Sequence, residues 1–395
     1  MKRRLLVVLA ILLGFALLAA SCGDDSTDDA TDDTGDSGTT DDGDDADDGD
    51  DSDDGDDSAV DASDVTAAFI YIGEPGDAGW TYAHDQGRQF AEAQTGATTV
   101  TVENIPEGSP EFDQAVRDFI ADGADVIFAT SFGYMDAMEA LAAEFPDVAF
   151  EHATGFKSND SNFGNYFGRI YQARYLTGLT AGAASPTGNV GYVAAFPIPE
   201  VIRGINAFTL GVRAANPDAT VTVNWTSTWF DPAVEGDSAN ALLEGGADVI
   251  AMHQDSTAAG EAAEAAGARW VSYNSDMSAF APEAYLSSAV WDWGPYYTSV
   301  IEQVAAGTYA GGSYWGGMED GIVQLGSLAD DVSDETRATI QDLTDQMIAG
   351  TWDPFTGPIN DQDGNEVIAD GVVPDDGALL GMDYFVEGVV GSAEG

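Results

Sequence analysis

The chain has 395 residues, with 70 Asp and Glu against 12 Lys and Arg, for a formal net charge of −58. So acidic a field excludes nucleic acid and anionic lipid surfaces as partners. The length exceeds a single hydrophobic core and predicts two lobes, while a lone cysteine excludes an internal disulfide.

Residues 1–21 begin with Lys2, Arg3 and Arg4, continue as an apolar run from Leu5 to Leu18 and end in small residues. This is the layout of an export signal, and the run is shorter than the roughly 18 residues a spanning helix needs. Cys22 closes "LLAASC", which resembles a lipobox; Ala19 stands where such boxes usually carry Leu. Cys22 is therefore expected to receive the lipid and become the mature N-terminus, on the extracytoplasmic face of the cell membrane. Residues 23–64 contain 21 Asp and otherwise mostly Gly, Ser, Thr and Ala. With nothing apolar to bury they are expected to form a disordered tether, spanning about 35 Å as a flexible coil. The segment has no Glu to close an EF-hand loop, which argues against a calcium site.

From residue 65 onward there are 49 acidic residues and nine basic ones, with Lys157 the one lysine. Such a surface suits saline surroundings. Short β-branched runs alternate here with amphipathic stretches, the pattern of parallel sheets with crossover helices. Strands are expected at 65–72, 98–104, 125–131, 147–153, 189–196, 220–229, 248–254, 269–274 and 285–291. The clearest helix has Ser109 as N-cap, Pro110 at its first position and Phe112, Ala115, Val116, Phe119 and Ile120 at helical spacing. A helix, a Gly-Ala-Asp turn and a buried strand occur in both 112–133 and 233–256, which predicts two similar doubly wound lobes. Pro and Gly in "AASPTGNVGYV" (183–193) place the break between them.

In open parallel sheets, ligands sit outside the carboxyl ends of the strands. The residues there are Gly73 to Tyr82, including Trp80 and Thr81; Ser131, Phe132 and Tyr134; Phe196; Trp229 to Asp231; Gln254 and Asp255; Asn274 and Asp276; and Trp291 to Trp293. Aromatics and carboxylates recur and basic residues are absent, a set suited to a flat, largely neutral ligand with N–H donors. For about ten heavy atoms the efficiency ceiling still permits about 8 kcal/mol, or micromolar binding. A purine base fits. Each residue also has a plainer role open to it: strand-end aromatics pack cores, Asp255 and Asp276 can cap helices, and Trp291 and Trp293 can bury a hinge. His84, His152 and His253 have no metal-ligand spacing, and no metal or cofactor is expected. No G-x-S-x-G elbow, P-loop or G-x-G-x-x-G after a strand is present, so an enzyme is not expected.

Ten segments in one order, among them "FIYIGEPGDAGWTYAHDQGR", "TSFGYMDA", "FPIPEVIRGINAFTLG", "NWTSTWFDP", "SDMSAFAPEAYLSS", "WDWGPYY" and "LLGMDYFVEGV", resemble the basic membrane protein (BMP) family of lipoproteins. The resemblance runs from residue 65 to 391. It implies a solute-binding protein of an ABC importer with the periplasmic-binding-protein type I fold: two lobes joined by a three-crossover hinge, which close on a ligand and are read by membrane permease and ATPase subunits. Residues 65–187 and 289–312 would form lobe I, and 188–288 and 313–395 lobe II, of a monomer. The resemblance also implies purine capture, with Trp80 and Trp229 stacking on the base and Asp255 and Asp276 binding N–H or hydroxyl groups. The expected ligand-binding set is Trp80, Thr81, Ser131, Phe132, Phe196, Trp229, Asp255, Asp276 and Trp293. Nucleoside binders of the family carry a ribose-contacting lysine where this chain reads "SSAVWDW", so a free base such as adenine ranks above a nucleoside. A lipoprotein sensor signalling to a membrane receptor, a nucleoside hydrolase and a binder of sugars or small amides are the competing readings.

Overall fold

A computed structural model describes residues 60–395; the export signal, Cys22 and the tether up to residue 59 lie outside them. Ala62–Asp64, expected to belong to the disordered tether, instead form a short helical turn capped by Asp61. The first five strands are β1 (Thr66–Ile70), β2 (Thr98–Val102), β3 (Val126–Ala129), β4 (Ala149–Ala153) and β5 (Phe163–Gly168). A second set follows: β6 (Asn189–Ala194), β7 (Thr220–Trp225), β8 (Val249–His253), β9 (Arg269–Asn274) and β10 (Tyr285–Trp291). The chain then gives β11 (Gly312–Gly316), β12 (Val323–Leu325), the hairpin β13 (Ile359–Asn360) with β14 (Glu366–Ile368), and β15 (Val389–Val390).

They form a six-stranded sheet, ordered β11-β5-β4-β3-β1-β2, and a seven-stranded sheet, ordered β12-β10-β9-β8-β6-β7-β15. Within them every pairing is parallel except that of β12 with β10. Each sheet starts at an interior strand, β1 or β6, and winds outward both ways, so the parallel strands place their carboxyl ends along one rim. β3, β4 and β8 are buried along their whole length, as strands covered by helices on both faces must be.

All nine strands expected from the sequence are present. β5 was missed because "FGNYFG" has two glycines and an Asn breaking its apolar pattern. The chain also crosses between sheets earlier than the Pro-Gly break suggests. Helix Tyr171–Ala184 lies on helix Pro199–Ala215 and on β10, in the second lobe, so the first crossing falls near Arg169 instead of residue 187. Glycines make that docking close: a Cβ on Gly178 or Gly182 would overlap the carbonyl of Phe208 or Val212, and one on Gly211 that of Tyr175. The chain returns after β10 and crosses a third time between β11, in the first sheet, and β12, in the second. Residues 313–316 therefore lie in the first lobe, not the second, and residues 289–291, within β10, lie in the second, not the first.

The returning helix Gly294–Ala305 packs on helix Trp80–Thr95 and fastens the first lobe through a buried acid. Glu151 on β4 is 2% exposed and accepts hydrogen bonds from Tyr296 Oη at 2.9 Å and Tyr309 Oη at 2.7 Å. Burial pushes its carboxyl up to about 7, against the lowering effect of the two phenols. The unfolded chain ionises this group near 4.5, so its full contribution to stability is present below that pH and is lost as pH rises to about 7. The shift corresponds to about 3 kcal/mol. Glu151→Gln, which mimics the neutral acid, should therefore gain stability relative to wild type as pH rises from 5 to 8, as read by paired urea melts; a pH-independent difference would refute this.

Candidate functional site

The loop after β1 leads into helix Trp80–Thr95 through a turn organised by one side chain. Asp77 Oδ1 accepts from the N–H groups of Gly79 at 2.8 Å and Tyr82 at 2.9 Å, and its Oδ2 from that of Thr81 at 3.0 Å. The first-turn donors are thus satisfied internally. What this turn presents to the cleft is the Trp80 ring. Its Nε1 donates to the Thr130 carbonyl at 2.7 Å, and His84, Trp291 and Trp293 meet it edge-on at centroid distances of 4.2, 6.2 and 6.0 Å.

Opposite, Trp229 sits just past β7, ahead of a helix capped by Asp231, whose carboxylate accepts from Ala233 and Val234 N–H. Phe196 backs the Trp229 ring at 4.9 Å. Both indoles line one cleft of about 400 Å³, counting space open to solvent, together with Ile72, Ser131, Phe132, Thr154, Glu200, His253, Asp255 and Tyr273. Most of these residues lie at or just beyond a strand's carboxyl end; Trp80 and Glu200 instead sit in the first turns of helices Trp80–Thr95 and Pro199–Ala215, which follow β1 and β6.

Of the nine residues expected from the sequence, Trp80, Ser131, Phe132, Trp229 and Asp255 line this cleft, and Phe196 supports it from behind. Three do not. Thr81 is buried with its hydroxyl near Gly73. Trp293 is fully buried, stacked on His84 at 5.0 Å and on Trp291 at 4.6 Å. Asp276 turns outward to accept from Ser278 N–H at 3.0 Å and Ser327 N–H at 2.8 Å. These bonds outweigh its partial burial and keep its carboxyl below the usual range, so it is a loop cap. Ile72, Thr154, Glu200, His253 and Tyr273 were not singled out, although the strand-end rule reaches four of them.

The cleft is electrostatically tense. Asp255 is 8% exposed and accepts from Asn274 Nδ2 at 2.8 Å. Burial raises its pKa well above the usual range, and the charges of Asp77, Glu235 and Glu200 add to the effect. Glu200 is pushed up to about 7 by burial, tempered by Arg203 and Arg174. His253, whose Nε2 lies 3.6 Å from Glu200 Oε1, is held well below its usual pKa by burial and the same two arginines. At neutral pH burial therefore favours the uncharged forms of Asp255 and His253, while Glu200 lies near its midpoint, so this corner can both donate and accept. Thr154 adds a buried hydroxyl with no protein partner, on a backbone at φ 67°, a conformation that costs a β-branched residue about 1–3 kcal/mol.

The lobes meet at this cleft. Ser275 Oγ, from the second lobe, donates to the Ala78 carbonyl of the first at 2.5 Å. A Cβ on Gly79 would overlap the main chain of Asp255, so only glycine lets the two rims touch.

Two parallel-sheet lobes closing over an aromatic and carboxylate cleft define a solute-binding protein. The chain belongs to the PnrA-like family of ABC transporter substrate-binding proteins, whose model matches residues 64–352; this is a family of binding proteins, not of enzymes. A purine-binding protein of Brucella abortus is 42% identical over 323 residues, 81% of this chain and 91% of its own. A putative ABC transporter glucose-binding protein of Haloferax volcanii is 41% identical over 332 residues, 84% of this chain and 82% of its own. The solute-binding protein of an ABC transporter system from Aeropyrum pernix shares the fold, with a TM-score of 0.64 at 18% identity over 80% of this chain and 95% of that one.

Replacing Gly79 by Ala should hold the rims apart. Affinity for the ligand should fall at least tenfold, about 1.4 kcal/mol, and small-angle scattering should show no contraction at saturating ligand. Unchanged contraction would show that the Gly79 contact does not govern closure.

Proposed function

We propose that this protein captures a purine base, adenine or a close relative, outside the membrane and delivers it to an ABC importer, held to the membrane through a lipid on Cys22. The observation that carries the ligand reading is that Trp80 and Trp229, from different lobes, line the same slot beside Asp255. Two indoles offer a flat ring more buried area and stacking energy than any other pair of side chains, and the carboxyl groups at the edge supply orientation. The purine-binding relative supports the same chemistry. The missing lysine in "SSAVWDW" favours base over nucleoside.

A sugar is the second reading, favoured by the relative named as a putative glucose-binding protein. Indole faces also stack on sugar rings, and carboxylates accept sugar hydroxyls. Calorimetry against adenine, guanine, hypoxanthine, their nucleosides and glucose separates the two. Adenine is expected to bind at micromolar concentration or below and glucose to give no heat; the reverse overturns the proposal. Trp229→Ala should weaken adenine binding roughly ten- to a hundredfold, about 1.4–2.8 kcal/mol.

Anchoring has its own test. Cys22→Ser should abolish incorporation of labelled palmitate and release the protein from the membrane fraction, whereas retention with unaltered labelling would rule out a lipid at Cys22.

A further inference from the structure

Helix Pro199–Ala215 brings Glu200 to the cleft and Gly204 one turn deeper, behind the cleft wall. A Cβ placed on Gly204 would meet nothing nearer than His253 Nδ1 at 3.7 Å, Arg174 Nε at 3.8 Å and Tyr192 Oη at 3.9 Å. All three are buried polar atoms without a hydrogen-bond partner in the protein. Arg174 and Tyr192 are wholly enclosed and His253 is 3% exposed. Polar atoms so placed are costly unless satisfied, and a gap with three of them around it meets the requirements of an internal water.

We propose that this gap binds one buried water molecule, which fixes His253 as its Nε2–H tautomer and so makes it a hydrogen-bond donor to the ligand. The argument follows from donors and acceptors. Arg174 Nε–H can only donate, and its guanidinium cannot turn away: Nη1 donates to the Met252 carbonyl at 2.7 Å, and the plane lies over the Tyr273 ring at 3.6 Å. The water oxygen accepts from Arg174 Nε–H and from the Tyr192 hydroxyl, whose proton has no other acceptor in the protein; both lone pairs are then filled, and only the water's hydrogens are left for His253 Nδ1. Nδ1 is then an acceptor. In the neutral ring, which burial and the nearby Arg174 and Arg203 enforce, the one proton sits on Nε2. That atom faces Glu200.

This inference rests on the cleft being the ligand site and deepens that reading. His253 supplies a fixed donor next to the Glu200 carboxyl, so the ligand edge packed there carries an acceptor, a ring nitrogen or carbonyl, beside a donor. An aminopurine edge has that pair. Arg174 and Tyr192 touch no ligand; they act as positioning residues through the water.

Two-bond ¹H–¹⁵N spectra of the ligand-free full chain, labelled at its three histidines, read the tautomer directly; His253→Asn assigns the signal. The Nε2–H pattern is expected. Gly204→Ala puts a methyl group into the gap in ordinary contact with all three atoms, and alanine favours the helix, so the fold is kept. In that variant the His253 signal should move toward the other tautomer, and adenine affinity should fall tenfold or more with no loss in Tm. An Nδ1–H pattern in wild type, or an unmoved signal in Gly204→Ala, overturns the proposal. So does a dry gap in a crystal structure, whereas solvent density within hydrogen-bond distance of the three atoms supports it. Because the tautomer is read without ligand, failure of the purine reading shows separately, as an absence of adenine binding with the His253 signal intact.

Discussion

The close approach of Gly79 to the Asp255 main chain is the constraint on which the cleft depends. It brings the capped turn held by Asp77 against a strand end holding another carboxylate. The same contact that shuts the cleft therefore crowds two acids, each with its pKa raised first by burial. A protein can hold such a pair only by keeping one of them protonated or by placing donors between them. In the purine reading proposed above, ligand N–H groups do the second. Closure and recognition are thus coupled: the ligand that satisfies Asp255 also removes part of the cost of bringing the rims together.

Charge is distributed unevenly for the same reason. Residues from 65 onward carry 49 acids and only nine bases, yet two of those bases, Arg174 and Arg203, are buried behind the cleft wall. Their positive charge lowers the cost of burying Glu200 and helps keep His253 neutral. Arg203 itself is pulled down to about 10 by burial and stays charged at neutral pH. A surface arginine would contribute about 0–1 kcal/mol through an exposed ion pair; inside, the same residue biases the protonation of cleft side chains that burial mainly sets.

Much of this was legible in the sequence because strand ends are local. Nine alternating or apolar runs gave nine strands, and the rule that ligands lie past their carboxyl ends reaches Trp80, Ser131, Phe132, Trp229 and Asp255. What stayed hidden was long-range. Asp276 and Asp255 follow their strands at similar distances, but the N–H group of Ser327, 51 residues on, captures Asp276. Trp293 and Trp80 carry the same indole, but Trp293 is enclosed because helix Gly294–Ala305 carries it back against His84. The first crossing was misplaced because Gly178, Gly182 and Gly211 act as a contact surface between two helices, whereas Pro186 and Gly188 only mark a turn. Glu200 belongs with Trp80, since each opens a helix that follows a strand, but a carboxylate in a first turn reads in the sequence as a helix-start residue.

The relatives sharpen where specificity resides. Two proteins about equally similar to this chain, at 42% and 41% identity, are named for a purine and for glucose. Identity at that level implies a shared fold, and a fold alone cannot choose between a flat base and a sugar. The choice falls to the few polar atoms that face the slot, because a buried donor or acceptor left unpaired by the wrong ligand costs about 1–3 kcal/mol. In this chain the non-indole polar residues lining the cleft are Ser131, Thr154, Glu200, His253, Asp255 and Tyr273. A sugar hydroxyl can donate or accept and adapts to either state of its partner, whereas a ring nitrogen cannot. Side chains whose protonation is fixed by burial, such as His253, therefore discriminate most strongly among heteroaromatic ligands.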